Sequence, residues 1–312
     1  MSTQWIIAET ASLAAELLRG ARELQRGTVV AFVGGDNTSA ASVVAHGADS
    51  AFALPLQPGA MWEDYTYALA EKAAIDLPSL IWVGATKRGR SLAALLAAIL
   101  DCPCISEGKN IRVVEGRVTA DRMVMGGLAN KVVSTNAPTV IITVSAGAYE
   151  SYSTGPARSG SVEMLAGTAG KVKVTGRHLT AGSRVNLSAA KRVVGVGRGF
   201  AEKANLALAE ELAKALGAEL ACSRPIAEFL NWMPEERYIG ISGQIIKPDL
   251  YIAVGISGQP QHVYGVRDAK VVVSINKDEN APMNETSDYS IVGDLREVLP
   301  ALSRAVSKAV CV

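Results

Sequence analysis

The sequence predicts an α/β fold in two domains, each a mainly parallel sheet flanked by helices, the C-terminal one doubly wound. Three observations predict it. Short apolar runs alternate with helix-periodic segments through the first half, the βαβα order of a parallel sheet. That order stops at about Ala146, and residues 147–185 are rich in Gly, Ser, Thr and Arg, with Pro156 and little apolar periodicity. Alternation resumes at Lys191, and 312 residues leave room for two domains that each bury a core. The expected division is 1–146 for an N-terminal α/β domain, 147–188 for a linker or an arm lying on a neighbour, and 189–312 for the C-terminal domain.

Trp5–Ala8 reads as a strand, and Leu13, Leu17, Ala21 and Leu24 then mark one face of a helix. Thr28–Val33 is the next strand, closed by the turn Gly34-Gly35-Asp36-Asn37. Ser39–Ala45 is helical, Ala51–Leu54 a strand, Tyr65–Ile75 helical and Leu80–Val83 a strand. Lys87-Arg88-Gly89-Arg90 reads as a solvated basic loop before the Ala/Leu-rich helix Ser91–Leu100. Val113–Val133 is extended, with turns at Glu115-Gly116 and Gly126-Gly127, and Val140–Val144 is a buried strand. In the second half Arg192–Val196, Glu219–Cys222, Leu250–Val254 and Val271–Ile275 read as strands, Ala204–Leu216 and Leu295–Ser307 as helices.

Composition narrows the function. Lys and Arg total 31 against 30 for Asp and Glu, a net charge of +1, which argues against a strongly basic nucleic-acid binder. Aromatics are only 5%, too few for a base-stacking platform. The longest apolar stretch, Leu92–Leu100, falls far short of the roughly 20 residues a membrane span needs. Met1–Trp5 lacks a basic region ahead of an apolar core, so no signal peptide is expected and the chain reads as soluble and cytoplasmic. Cys102-Pro-Cys104 has no companion Cys/His cluster and is not a zinc site.

Six segments carry chemistry, all in the second half and all at strand or helix ends. Gly195-Val-Gly-Arg198-Gly199 follows a strand, serving either a phosphate or only an ordinary βα turn; its spacing is not G-x-G-x-x-G. Ser223 and Arg224 end the next strand, where an arginine pairs with an anion or merely with a surface carboxylate. Tyr238-Ile239-Gly240-Ile241-Ser242-Gly243 frames a hydroxyl between two glycines. Gly255-Ile-Ser257-Gly258-Gln259-Pro260-Gln261-His262 joins glycines, a hydroxyl, two amides and an imidazole just past a strand end, suited to a pyrophosphate and a polar ring. Asn276 and Asp294-Leu295 complete the set, with turn and N-cap roles as their plainer readings.

Leu250–Gly258, Gln261-His262, Ile275-Asn-Lys-Asp, Ala281-Pro282, Asp288-Tyr289 and Gly293-Asp-Leu295 resemble the signature of the electron transfer flavoprotein alpha subunit. The resemblance extends back through Ser223-Arg224, Gly197-Arg-Gly199, Met125-Gly-Gly and Thr86-Lys-Arg-Gly-Arg, so it covers essentially the whole chain. Cys222-Ser-Arg-Pro and Glu236–Gly243 look most like the bacterial branch linked to anaerobic acyl-CoA and carnitine metabolism.

The resemblance implies FAD in the C-terminal domain, with a beta subunit completing the site in a heterodimer. It implies an electron carrier rather than an enzyme, a redox partner of the acyl-CoA dehydrogenase type, as in fatty acid β-oxidation, and neither nucleic-acid binding nor membrane insertion. Carried over by residue, Arg198 lies beside the flavin, and Ser223 and Arg224 face it from a strand end, the guanidinium near the isoalloxazine. Ile239, Gly240, Ile241 and Ser242 line the ring. Ser257, Gly258, Gln259, Pro260, Gln261 and His262 wrap the ribityl and pyrophosphate, His262 near flavin O2. Asn276, Asp294 and Leu295 hold the adenosine end. Arg224 and His262 would then stabilise negative charge on the reduced ring.

Three departures from the family pattern are visible. Pro260 stands where an aliphatic residue is usual and removes a backbone donor. Ile241-Ser242 replaces Gln-Thr, and Met283-Asn284 replaces Ile-Phe. An electron-bifurcating complex and a nicotinamide-dependent oxidoreductase are the alternative functions; the missing G-x-G-x-x-G and the lack of an acid/base pair count against the second.

Overall fold

The computed structural model describes residues 2–150, 159–168, 170, 172–176 and 186–310. The chain divides into two compact units, one of Met1–Val124 with Asn130–His178 and one of Met125–Ala129 with Leu179–Val312. The strands of both units are rich in Val, Ile and Ala, the near-continuous apolar composition that suits a sheet covered on both faces.

In the first unit the chain runs β1 (Thr3–Ala8), α1 (Ala11–Glu23), β2 (Thr28–Gly34), α2 (Asn37–Ala45), β3 (Ser50–Leu54), α3 (Thr66–Asp76), β4 (Leu80–Gly84) and α4 (Lys87–Leu100). It continues through β5 (Cys104–Ile105), β6 (Gly108–Val114), β7 (Arg117–Val124), β8 (Ala129–Thr135), β9 (Val140–Val144) and β10 (Ser161–Met164). Seven strands form a parallel sheet in the order β10-β3-β2-β1-β4-β9-β5. Alternate residues of its strands face opposite ways. Ile6, Ala31, Trp82 and Ile142 pack with α1 and α2, whereas Trp5, Phe32, Ile81 and Ile141 pack with α3 and α4. β6, β7 and β8 make a separate three-stranded sheet, and the β6–β7 turn uses positive φ at both Glu115 and Gly116.

The basic run 87–90 is the first turn of α4, not a solvated loop. Thr86 caps the helix by accepting from Gly89 N at 2.8 Å. Cations at a helix start oppose its dipole, and Arg88 and Arg90 are offset by Glu63 at 3.2 Å and Glu107 at 2.5 Å. Of the predicted linker, 151–158, 169, 171 and 177–185 lie outside the described residues. Within it, β10 adds a parallel edge strand to β3, Ser161 opposite Ser50.

The second unit runs β11 (Arg192–Val196), α5 (Leu206–Leu216), β12 (Glu219–Cys222), β13 (Leu250–Val254), α6 (Pro260–Val266), β14 (Val272–Asn276), α7 (Pro282–Glu285), β15 (Tyr289–Val292) and α8 (Leu295–Val310). Its strands are all parallel in the order β12-β11-β13-β14-β15. Val194, Val196, Ile252 and Val254 pack with α5 and α8, while Val193, Tyr251 and Ala253 pack with Val266 of α6 and Met283 of α7. Among the described residues no helix is long and apolar enough to cross a membrane.

Candidate cofactor site

In the second sheet the winding reverses between β11 and β13, and open α/β sheets bind ligands outside the carboxyl ends of strands at such a point. The loops leaving those two strands meet there through glycine. Gly199 N donates to Gly255 O at 3.0 Å, and Gly255 holds φ +60°. A Cβ on Gly199 would lie 2.6 Å from Gly255 Cα, and one on Gly197 would lie 2.2 Å from Gly255 O. Gly195 sits lower, where a Cβ would fall 2.1 Å from the Tyr251 hydroxyl. Each glycine of this run is thus required by a close neighbour.

A pocket of about 160 Å³ opens over these ends, lined among others by Gly199, Gly255, Asn276, Asp294 and Leu295. The three residues assigned by resemblance to the adenosine end therefore share one wall. Asp294 caps α8: its carboxylate accepts from Arg296 N at 2.9 Å and from the Arg296 guanidinium at 2.6 Å. These bonds hold its pKa at about 2. Asn276 donates through Nδ2 to Ile256 O at 3.0 Å and accepts from Asp278 N at 3.1 Å. Its side chain therefore fixes the loop after β13 to the loop after β14.

Ser223 and Arg224 leave β12 beside this centre without lining that pocket. Ser223 is buried, its N donating to Val196 O at 2.9 Å. Arg224 is exposed and paired with Glu228 at 2.6 Å across the turn Pro225–Phe229, and Glu228 raises its pKa. Burial pushes the neighbouring Cys222 thiol up to about 12, so it keeps its proton. Arg198 is exposed on the turn after β11.

The 239–242 loop is tied to the start of α6. Ile241 N donates to Gln261 O at 3.0 Å, and Gly240 N to Gln244 O at 3.1 Å. Ile239 is buried, Ile241 and Ser242 are exposed, and the Ser242 hydroxyl lies 2.8 Å from that of Tyr238. Past β13, Ser257 is exposed and its carbonyl accepts from Met283 N at 3.2 Å; Gly258, at φ +87°, leaves no room for a Cβ there. Gln259 precedes α6 and Pro260 is its first residue, a position whose N–H has no intrahelical partner. The proline that departs from the family pattern therefore suits the helix start.

His262 is 7% exposed, and its Nε2 lies 2.8 Å from the Tyr251 hydroxyl. Its Nδ1 is buried by this chain itself, with the Ile239 backbone facing the ring. Burial lowers its pKa to about 4, which the Ile239 backbone beside the ring partly opposes, so the imidazole is neutral at pH 7. Sequence reasoning missed Tyr251 and Glu228. Tyr251 carries a faint signal, a hydroxyl inside an apolar strand; Glu228 follows Arg224 by four residues, the spacing of an ion pair on a helical turn.

The chemistry fits a flavin dinucleotide. The loops after β11 and β13 present glycine backbone at the reversal point, where the pocket opens. Comparison with known proteins agrees. A family model described as "Electron transfer flavoprotein domain" matches residues 4–170, and one described as "Electron transfer flavoprotein FAD-binding domain" matches residues 186–267. YdiR of Escherichia coli (strain K12) is 38% identical over 311 residues, 99% of each chain. Protein FixB of Escherichia coli O157:H7 and Protein FixB of Shigella flexneri are each 39% identical over 311 residues, 98% of this chain and 99% of theirs. The C-terminal unit carries an FAD-binding domain, and the chain belongs to the electron transfer flavoprotein alpha-subunit family.

Proposed function

We propose that this chain is the alpha half of a cytoplasmic heterodimer that carries electrons between an acyl-CoA dehydrogenase-type partner and a second redox carrier. It acts as a carrier and binds no organic substrate of its own. The observation that carries this reading is the reversal point between β11 and β13, where the glycine loops meet beside the pocket lined by Asn276, Asp294 and Leu295. When bound, FAD supplies the centre that accepts and releases electrons.

This chain's residues bind and tune. Asn276, Asp294 and Leu295 hold the adenosine end, and the Gly199–Gly255 contact sets how closely backbone approaches the ligand. Ser257 to Gln261 lie along the ribityl and pyrophosphate. The ring lies along Ile239–Ser242, with Ser223, Arg224 and Arg198 beside it. Neutral His262 offers a hydrogen bond without adding charge, while Arg224 adds a cation, held in place by Glu228. A positive charge near the ring favours its reduced form.

Co-purification with the beta subunit, followed by cofactor extraction and a visible spectrum, tests the proposal. One FAD per heterodimer is expected. FMN, a nicotinamide or no cofactor overturns it, as does a stable flavin-loaded monomer.

A further inference from the structure

The loop that leaves β11 makes a tight turn that lines the pocket over the reversal point. Ala201 holds φ +61° and ψ −42°, and Glu202 N donates to Phe200 O at 2.6 Å across it. That is a γ-turn of the rare, strained hand, on a residue that carries a Cβ. Its surroundings hold it. Phe200 is buried in the core with Val196, Leu206 and Leu299. Asn205 Nδ2 donates to Phe200 O at 2.8 Å and Asn205 N donates to Glu202 O at 3.2 Å, so one residue grips both ends of the turn.

The turn brings Glu202 to the pocket wall, where the neighbouring polar side chains are already spent within the chain. The Asp294 carboxylate accepts from Arg296 N, Nε and Nη2, and the Asn276 amide is used by Ile256 O and Asp278 N. Glu202 is exposed, and its carboxylate makes no hydrogen bond or ion pair among the described residues. It lies within electrostatic reach of Arg296, another pocket residue, whose pKa is raised through Asp294 first and Glu202 last. A carboxylate accepts and does not donate, so it suits hydroxyls and repels phosphate. In nucleotide-binding sheets an acidic residue near the strand ends takes the ribose hydroxyls.

We propose that Glu202 is a specificity-determining residue for the adenosine half of the cofactor: its carboxylate accepts hydrogen bonds from the ribose hydroxyls, and the turn at Ala201 holds it in place to do so. This rests on the FAD reading above. Asn276 and Asp294 then shape the pocket through bonds within the chain, while Glu202 supplies the acidic group left open to the ligand.

The test is the affinity of the full chain, in complex with its beta subunit, for FAD and for an FAD analogue whose adenosine ribose lacks both hydroxyls, each followed by flavin fluorescence. The wild type should bind FAD roughly tenfold more tightly than the analogue, the gain of a charge-assisted hydrogen bond. Glu202→Ala should weaken FAD binding by the same factor and leave the analogue unchanged, so that the preference disappears. Glu202→Gln, which keeps an acceptor oxygen without the charge, should restore part of it. Glu202 is exposed, so neither substitution opens the core. An equal loss for both ligands would assign Glu202 to the fold of the loop and overturns the inference. Unchanged FAD affinity in Glu202→Ala overturns it too, as does tighter binding, which would mean that the carboxylate faces a phosphate. A wild-type complex that holds no flavin overturns the functional reading instead, whereas one that holds FAD and the analogue equally well overturns this inference alone.

Discussion

Gly199 and Gly255 touch backbone to backbone: a Cβ on either would lie within 2.8 Å of the other's Cα, and Gly199 N donates to Gly255 O at 3.0 Å. Gly255 also holds φ +60°. Gly255→Ala therefore combines overpacking with left-handed strain and should cost roughly 2–4 kcal/mol. Gly116→Ala is the control, at φ +77° with nothing within 4 Å, and should cost about 1 kcal/mol. Thermal unfolding and FAD stoichiometry check both. Equal effects of the two variants would show that φ matters and the contact does not.

The buried imidazole gives a pH dependence with a definite sign. His262 takes up a proton at about 4 in the folded chain, whereas in the unfolded chain it does so near the ordinary 6.5. Its contribution to stability is full above about pH 6.5 and is lost as the pH falls toward 4, amounting to about 3 kcal/mol. Urea unfolding at about pH 7 and pH 5 should show a smaller acid loss in His262→Gln than in the wild type. An equal loss in both would assign the acid sensitivity to other groups.

Arg224 and Glu228 form an exposed pair, and exposed pairs contribute little to stability. Arg224→Gln should leave the melting temperature within experimental scatter. On the proposed placement of Arg224 beside the ring, removal of its cation should lower the flavin reduction potential and weaken FAD binding. Spectroelectrochemistry on a variant still holding stoichiometric FAD decides: an unchanged potential removes Arg224 from the electrostatics of the site.

In the first unit Gln4 is 1% exposed and fully used. Its Oε1 accepts from Trp82 Nε1 at 3.0 Å, and its Nε2 donates to Ala21 O at 3.1 Å and Arg26 O at 2.8 Å. Gln4→Leu leaves an indole N–H buried without a partner and strips both carbonyls of a donor, so it should cost about 2 kcal/mol. Chemical unfolding checks this, and a loss below about 0.5 kcal/mol would mean that water takes over the carboxamide's bonds.

The two wound sheets were legible because each central strand is an apolar run and α1–α5 and α8 carry leucines or alanines on one face; α6 (PQHVYGV) and α7 (PMNE) carry neither and were not read as helices. β10 and β15 escaped because they are short edge strands, and Ser161-Val-Glu-Met164 looks like loop composition. α4 began four residues before the predicted Ser91 because its cations find carboxylates from Glu63 and Glu107, partners that sequence does not place nearby. At the site, the glycine runs and His262 were visible as residue types. What each glycine faces was not: Gly195 answers to Tyr251, Gly199 to Gly255, and Gly258 to Met283. Asp294 and Asn276 keep the cap and turn roles that were their plainer readings while also lining the pocket.

Strand β10 carries a consequence for how this polypeptide can be cut. The segment that leads out of the first unit returns to lie along β3, so it is also that sheet's outermost rung. A fragment ending at 146 would bare the N–H and C=O groups of β3 that now bond to Ser161–Met164. Bare edges of that kind recruit strands from other molecules. One that runs past Leu165, whose N donates to Ala53 O at 3.0 Å, keeps its own guard against self-association.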